Sequence, residues 1–319
     1  MNPALTAVIC THNPRPDYLA RTLQALRQQA SVDGGDWSLI IVDNASSPPV
    51  GSVVDLSWHP NAKIVREEQL GLTHARFRGF REANSETIVF IDDDNVLDSN
   101  YLRYAFEAMA ADSTLGAIGG KSIACYETRP PKWFERLDLD LACRDLGNTP
   151  QYASWSGSDG SPRTYPICSP IGAGLVIRRT AFQAYLAAAE TDPARNGLGR
   201  RGSDLSGGED NDIILTLLHL GWRVGYVPEL RLEHLIPARR LTAAYLANYA
   251  YSTNRTWVKV LDVHGIRPWR PVDSWTVPLR KIKLYFGLGA WRAKAPFVRW
   301  RGACGLLDGQ VRLPRLITR

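Results

Sequence analysis

Short apolar runs alternate along the first half of the chain with stretches whose apolar residues recur every three or four positions. Ala4 to Cys10, Trp37 to Val42, Lys63 to Arg66 and Thr87 to Ile91 read as strands. Tyr18, Leu19, Thr22, Leu23 and Leu26 fall on one helical face, and helices are predicted over Thr73 to Ala83, with Thr73 as N-cap, and over Tyr101 to Ala111. Ala117 to Ile123 is a further strand. This alternation predicts βα units and an α/β fold with a mostly parallel central sheet flanked by helices.

The pattern loosens between Tyr126 and Pro166, which is rich in Pro, Gly, Ser and Trp, and recovers at Pro170. Ile171 to Ile177 is strand-like, and Thr180 to Ala189 is a helix. Asn196 to Gly208 is flexible by composition. After Glu209 and Asp210, Ile213, Ile214, Leu217, Leu218 and Leu220 give a helix an apolar face. Arg223 to Val227 and Arg231 to His234 are expected as two short strands, and Leu241 to Val263 as a long helix. No internal repeat is evident.

At 319 residues the chain is long enough for one large α/β domain with an appendage. Its five cysteines are odd in number and scattered, with no C-x-x-C pair, which speaks against zinc or a disulfide framework and for a reducing cytoplasm. Met1 to Cys10 has no charged leader, so no secretory signal is expected. The longest apolar stretch near the end, Leu284 to Trp291, is far too short to span a bilayer.

The net charge of +6 is uneven. From Gly265 onward there are 12 Lys or Arg against 2 acids, so the basic excess is local to the end of the chain. Arg280, Lys281, Lys283, Arg292, Lys294, Arg299 and Arg301 are interleaved with Leu284, Tyr285, Phe286, Trp291, Phe297 and Trp300. That mixture suits an anionic membrane surface at the inner face. Nucleic acid would attract the same charges but is not expected as a partner, and a helical appendage packed on its own acids is the third reading.

The chemistry gathers where strands end. Ile88 to Asn95 runs from an apolar strand straight into Asp92, Asp93 and Asp94. Three adjacent carboxylates repel one another, so they are either fully solvated or arranged around a cation. Oxygen-rich clusters suit hard divalent ions that also hold a diphosphate. Thr11, His12 and Asn13, then Asp43 and Asn44, then Gly71 to Arg76 end on the same predicted sheet edge, where open α/β sheets bind ligands. Asp43 suits either the N–H of a pyrimidine base or a cap on its own turn. The helix after Gly71 offers free N–H groups to a diphosphate, with Arg76 adding a forked charge. Two other motif matches fail their context: Gly197 to Gly202 has no strand before it, and Gly116 to Ser122 is one residue short of a phosphate loop and lies in a strand.

Taken in order, Val8 to Asn13, Ile41 to Ser46, Glu68 to Leu72 with Ala75-Arg76, Phe90 to Asn95, Gly172-Ala173-Gly174 and Gly208-Glu209-Asp210 resemble the family 2 glycosyltransferases of the GT-A fold. The resemblance covers about residues 4 to 236. It implies a Rossmann-like catalytic domain over residues 1–236, with a donor half to about 125 and an acceptor half from about 126, and a basic helical region over 237–319. It further implies an inverting, hexosyltransferase-type enzyme with a nucleotide-sugar donor, a UDP-sugar first among them, a Mn2+ or Mg2+ ion, and a carbohydrate or lipid-linked acceptor in polysaccharide or glycan synthesis.

Carried over residue by residue, Asp43 matches the family's base-binding acid, with Thr11, Asn13, Asn44, Gly71 and Arg76 completing the donor edge. Asp92, Asp93 and Asp94 match its D-x-D region, Asp94 first for the metal and Asp92 or Asp93 toward ribose or metal. Asp210 matches the catalytic base, supported by Glu209, and His234 is read as a further metal ligand or as a hydrogen-bonded strand-end histidine. Asp210 and Glu209 also fit a plain first helical turn that complements the dipole. The rival readings are a nucleotidyltransferase of related fold, whose basic Gly-rich loop after the first strand is missing here, and a non-catalytic nucleotide-sugar or carbohydrate-binding module.

Overall fold

Leu5, Ala7 and Ile9 lie in one hydrophobic core and Val8 and Cys10 in another, because the first strand is covered on both faces. The same split holds for Leu39 and Ile41 against Ile40 and Val42, and for Val89 and Ile91 against Ile88 and Phe90. Such double burial is why these strands read as unbroken apolar runs. The structure, a computed structural model, describes residues 3–32, 36–155, 163–200, 202, 205 and 207–311.

Among the described residues, nine strands form one sheet: β1 (Leu5–Thr11), β2 (Ser38–Asn44), β3 (Ala62–Glu67), β4 (Thr87–Asp92), β5 (Asn95–Leu97), β6 (Leu115–Tyr126), β7 (Gln151–Ala153), β8 (Leu175–Arg178) and β9 (Arg223–Ile236). Their order is β3-β2-β1-β4-β8-β6-β9-β5, with β7 pairing β9 outside that path. The first four positions are parallel, and β8 pairs both β4 and β6 antiparallel, as β5 and β7 pair β9. The helices are α1 (Pro16–Arg27), α2 (Leu72–Glu82), α3 (Tyr101–Ala111), α4 (Arg179–Thr191), α5 (Pro193–Asn196), α6 (Glu209–His219), α7 (Ala243–Val263), α8 (Val277–Gly287) and α9 (Lys294–Val311). Leu19 and Leu26 of α1 and Tyr101, Leu102 and Met109 of α3 fill one core; Phe77 and Phe80 of α2, Phe182 and Tyr185 of α4 and Ile213, Ile214, Leu217 and Leu218 of α6 line the other.

The chain divides into two compact units. The first holds residues 1–125, 141–192 and 213–235, and the second holds 126–140, 193–212 and 236–319. The helical C-terminal region thus forms a unit with two segments that the linear reading had assigned to the acceptor half. In the second unit α7 packs along α9, and α8 packs on α9.

Four local expectations change. The N-cap of α2 is Gly71 and not Thr73, which is buried two residues further on, within the first turn. Pairing near Gly172 begins only at Leu175, because Gly174 has φ +70, a left-handed kink that a pleated strand cannot contain. The two strands expected around Pro228 are one strand, β9, in which Leu230, Leu232 and His234 are buried while Glu229, Arg231 and Glu233 are exposed. The long helix starts at Ala243, where the Thr242 hydroxyl caps the Tyr245 N–H. Part of the flexible segment expected over 196–208, namely residues 201, 203, 204 and 206, lies outside the described residues.

Candidate active site

β4 ends at Asp92 and β5 starts at Asn95, so Asp93 and Asp94 form a tight turn. Asp93 and Asp94 are separated by what their carboxylates bind. The Thr11 hydroxyl, at the end of β1, donates to the Asp93 carboxylate, and the Thr22 hydroxyl of α1 donates to the Asp93 carbonyl at 3.1 Å. Asn95 accepts the Asp92 N–H at 3.2 Å and donates to Asp94 at 3.2 Å. Asp94 is 6% exposed, so this is not a solvated acidic turn.

β9 brings His234 to the same place. It pairs with Asn95 across the β5–β9 ladder, and the next residue's N–H, that of Leu235, donates to the Asp94 carbonyl at 2.8 Å. His234 Nε2 then lies 3.4 Å from Asp94 Oδ2, with both side chains buried. Burial alone would push the imidazole down, but the Asp94 carboxylate beside it overrides that and holds it up at about 10. On its other side, His234 Nδ1 is 3.8 Å from the Cys143 thiol. Cys143, half-buried, was not anticipated, since it falls in the irregular stretch and no local pattern reports a contact across 91 residues.

The ends of β1, β2 and β3 are knitted into one edge. Asp43 accepts from the backbone N–H groups of Ser46 at 2.9 Å and Val50 at 3.0 Å and from the Arg66 guanidinium at 2.9 Å. Burial pushes its carboxyl up, yet these hydrogen bonds and the Arg66 charge outweigh it and hold Asp43 below the usual carboxylate range. Asp43 is therefore an ionised anchor of the loop after β2. Asn44 donates to the carbonyls of Glu67 and Gln69 and accepts the Gly71 N–H, so it fixes the β3–α2 loop. Asn13, at φ +48, holds the neighbouring turn: its backbone N–H donates to Ser46 Oγ at 2.9 Å, and its side-chain Oδ1 accepts the Ser47 N–H at 2.8 Å. His12 Nδ1 contacts the Asn44 carbonyl at 2.7 Å.

At the start of α2, no side chain caps Gly71, and the buried Thr73 hydroxyl has no hydrogen-bond partner among the described residues. Arg76 is buried, its guanidinium carbon 5.8 Å from the centroid of the Phe90 ring. The first unit thus brings Thr11, Asp93, Asp94 and His234 together at one end of β4, and Asn13, Asp43, Asn44 and Gly71 together at the ends of β1 to β3.

Glu209 and Asp210 belong to the second unit, where they open α6 together with Asp212. Glu209 is buried, and Asp210 accepts the Asn211 N–H at 2.9 Å. Asp212, overlooked in the sequence, is fully buried, with His264 Nε2 at 2.7 Å and Arg195 at 3.2 Å. This ion-pair cluster ties the α6 start to α5 and to the end of α7. On α7, Tyr249 stacks on Tyr245 at 6.3 Å between centroids; burial pushes its phenol up to about 12, reinforced by the Asp140 and Asp210 charges and opposed by Arg200.

Does this donor set suit a divalent ion? Among the described residues no three His, Cys, Asp or Glu side chains form a ready cage, and the structure does not bring Asp92 into one. Asp94 and His234 do fit as a pair: a buried carboxylate whose counter-charge in this state is the adjacent imidazolium, a place where a cation is at home. One oxygen and one imidazole nitrogen suit Mn2+ better than Mg2+.

The sequence profile described as Glycosyl transferase family 2 matches residues 6–186. The succinoglycan biosynthesis protein ExoM of Rhizobium meliloti is 24% identical over 287 residues, covering 87% of this chain and 81% of that protein. An N-acetylglucosaminyltransferase of Rhizobium sp. is also 24% identical, over 74% of this chain, which spans only 49% of that longer relative. Among solved structures, the mannosyltransferase PcManGT from Pyrobaculum calidifontis, in complex with GDP-Man and Mn2+, superposes with a TM-score of 0.53 at 19% identity, over 94% of this chain and 74% of that one. GalNAc-T7 with UDP, GalNAc and Mn2+ gives 0.53 at 15% identity, over 94% and 54%. These likenesses establish the GT-A fold; with the profile covering more than half of its length, the chain belongs to glycosyl transferase family 2.

Proposed function

We propose that the chain transfers a sugar from a nucleoside-diphosphate sugar, a UDP-sugar first among the candidates, to a hydroxyl of a carbohydrate or lipid-linked acceptor, with inversion and with Mn2+ or Mg2+, in polysaccharide or glycan synthesis. The observation that carries this reading is the buried Asp94–His234 pair at the carboxyl end of β4, in a chain of this family. ExoM, named for succinoglycan biosynthesis, supports the polysaccharide context.

In this reading Asp94 and His234 hold the divalent ion, which would neutralise the charge that gathers on the departing diphosphate. Thr11 keeps Asp93 turned toward β1, and Asp92 faces the donor's ribose. The α2 N-terminus, with its uncapped N–H groups and the buried Thr73 hydroxyl, supports a diphosphate contact there, with the positive dipole end favouring the anion. Asp43, fixed and ionised, reads the base, while Asn13, Asn44, Gly71 and Arg76 shape the edge around it.

Asp210 takes the acceptor hydroxyl's proton as the new glycosidic bond forms on the face opposite the leaving diphosphate. A hydroxyl is a poor nucleophile until that proton leaves, and Asp210 stands in the first turn of α6 as the carboxylate to receive it. Glu209 is the neighbouring positioning residue. A thermal-shift screen of UDP, GDP and CDP with and without Mn2+ tests the donor class: a nucleotide at about 100 times its Kd adds about 2.7 kcal/mol of stability. A rise with one nucleotide, larger with Mn2+, is expected; no rise with any of them would remove the reading.

A further inference from the structure

The C-terminal basic segment separates by partner. Lys281 forms an ion pair with Asp308 at 2.7 Å, Arg299 donates to the Arg136 carbonyl, and Arg301 lies over the Tyr251 ring at 4.5 Å. These charges serve the second unit itself. Arg280, Lys283, Arg292 and Lys294 are exposed to solvent and make no ion pair among the described residues, with Arg280 donating to the Thr276 hydroxyl at 3.0 Å and Arg292 and Lys294 lying over the Trp291 and Trp133 rings.

α8 shows the same division in its apolar residues. Its inner side is committed to α9: Val277 is buried, Tyr285 meets Trp300 edge-on at 5.1 Å, and the Trp300 indole N–H donates to the Lys281 carbonyl at 3.0 Å. The outer side carries Leu279, Ile282 and Phe286, spaced i, i+3, i+7 and thus on one stripe, at 65%, 53% and 62% exposure. Trp275, in the turn just before α8, is 75% exposed, and Trp291, just after it, is 50% exposed and stacked at a tilt on Phe286 at 5.3 Å. A soluble helix ordinarily presents polar residues on such a face.

We propose that this outer face of α8, from Trp275 to Trp291, docks on the surface of an anionic lipid bilayer, with the helix lying in the plane of the headgroups. Three features favour a bilayer over a protein groove. The apolar stripe is bracketed by tryptophans, whose amphipathic rings favour the headgroup level. Lys283 and Arg280 flank the stripe along one side and Arg292 and Lys294 extend it, long side chains that bury their stems beside lipid while their charges reach phosphate. Asp273 is the sole acid between Gly265 and Leu307, so nothing on this stretch repels an anionic surface except one carboxylate. Among the described residues no helix is long and apolar enough to cross a membrane, so contact through α8 is peripheral. Docking is independent of the transfer chemistry and is read without substrate.

The test uses the full chain with sedimented vesicles of phosphatidylcholine alone and of phosphatidylcholine with phosphatidylglycerol, followed also by tryptophan emission. The protein should partition at least about tenfold better onto the anionic vesicles, with a blue shift from Trp275 and Trp291. The triple variant Leu279→Ser/Ile282→Ser/Phe286→Ser should lose about tenfold or more of that partitioning while keeping its circular dichroism and Tm, since all three side chains already face solvent. Arg280→Glu/Lys283→Glu should abolish the preference for anionic lipid. Failure of the parent protein to bind, or binding by the triple variant equal to the parent's, overturns the proposal. So does a parent dimer in light scattering that the triple variant dissolves without any vesicle binding, which would assign the face to a second copy of the chain.

Discussion

Asn44 accepts the Gly71 N–H at 2.8 Å while its own amide donates to the Gln69 carbonyl at 2.8 Å and the Glu67 carbonyl at 3.1 Å. One buried side chain at the end of β2 thus clamps the loop that delivers the N-terminus of α2. Asn44→Ala should cost about 2 kcal/mol, because three backbone groups lose their partner inside the fold. In nucleotide titrations the same variant should weaken donor binding about tenfold, whereas a purely structural Asn44 would change urea unfolding and leave affinity intact.

Asp43 gives the fold a defined acid dependence. Its carboxyl is held below the ordinary value of 3.8 in the folded chain, so the unfolded chain binds the proton more readily. Its stabilising contribution is therefore complete above about pH 4 and fades as pH falls through the lowered folded value. Asp43→Asn should lower the unfolding free energy by about 2 kcal/mol at pH 7 and by progressively less toward pH 3. A deficit that stays constant over that range in urea titrations would contradict this.

Much of this was legible in the sequence, for reasons tied to particular residues. β1, β2 and β4 were found because double burial leaves them unbroken, and His234 stands in phase with Leu230 and Leu232, a period-2 signal that already marks it as buried. Pro228 hid the continuity of β9 by resembling a break. The role of Asp43 was open because its partners Val50 and Arg66 lie 7 and 23 residues away. The Asp212–His264–Arg195 cluster was invisible for the same reason, since no local pattern reports a contact across 52 residues.

The glycines of β6, which imitate a phosphate loop, mark close backbone approach instead. A Cβ at Gly120 would sit 2.0 Å from the Leu230 carbonyl oxygen and 2.5 Å from that of Val227. Gly120→Ala should destabilise the fold by about 3 kcal/mol or more, or prevent folding, because backbone atoms cannot give way as a side chain can. Gly51→Ala, whose Cβ would meet only Ile64 at 3.9 Å, should stay within about 0.5 kcal/mol of the parent in the same denaturation assay.

Two neighbouring acids of α6 should part company on mutation. Asp210→Asn should reduce sugar transfer at least about 100-fold while nucleotide binding and Tm stay near the parent's, as loss of a general base requires. Asp212→Ala should instead lower stability by about 3 to 5 kcal/mol, because His264 and Arg195 lose a buried partner. Paired melting and activity measurements on the two variants separate the roles; an Asp210→Asn enzyme with full turnover would remove the base assignment.

The account rests most heavily on Asp94 and His234 serving one cation together. Calorimetric titration of UDP, or of whichever nucleoside diphosphate the screen selects, into the parent protein, Asp94→Asn and His234→Ala, with and without Mn2+, tests this directly. Mn2+ should tighten binding to the parent at least about tenfold and have little effect on either variant. Equal affinity with and without Mn2+ in the folded parent, or an undiminished Mn2+ effect in Asp94→Asn, would contradict it.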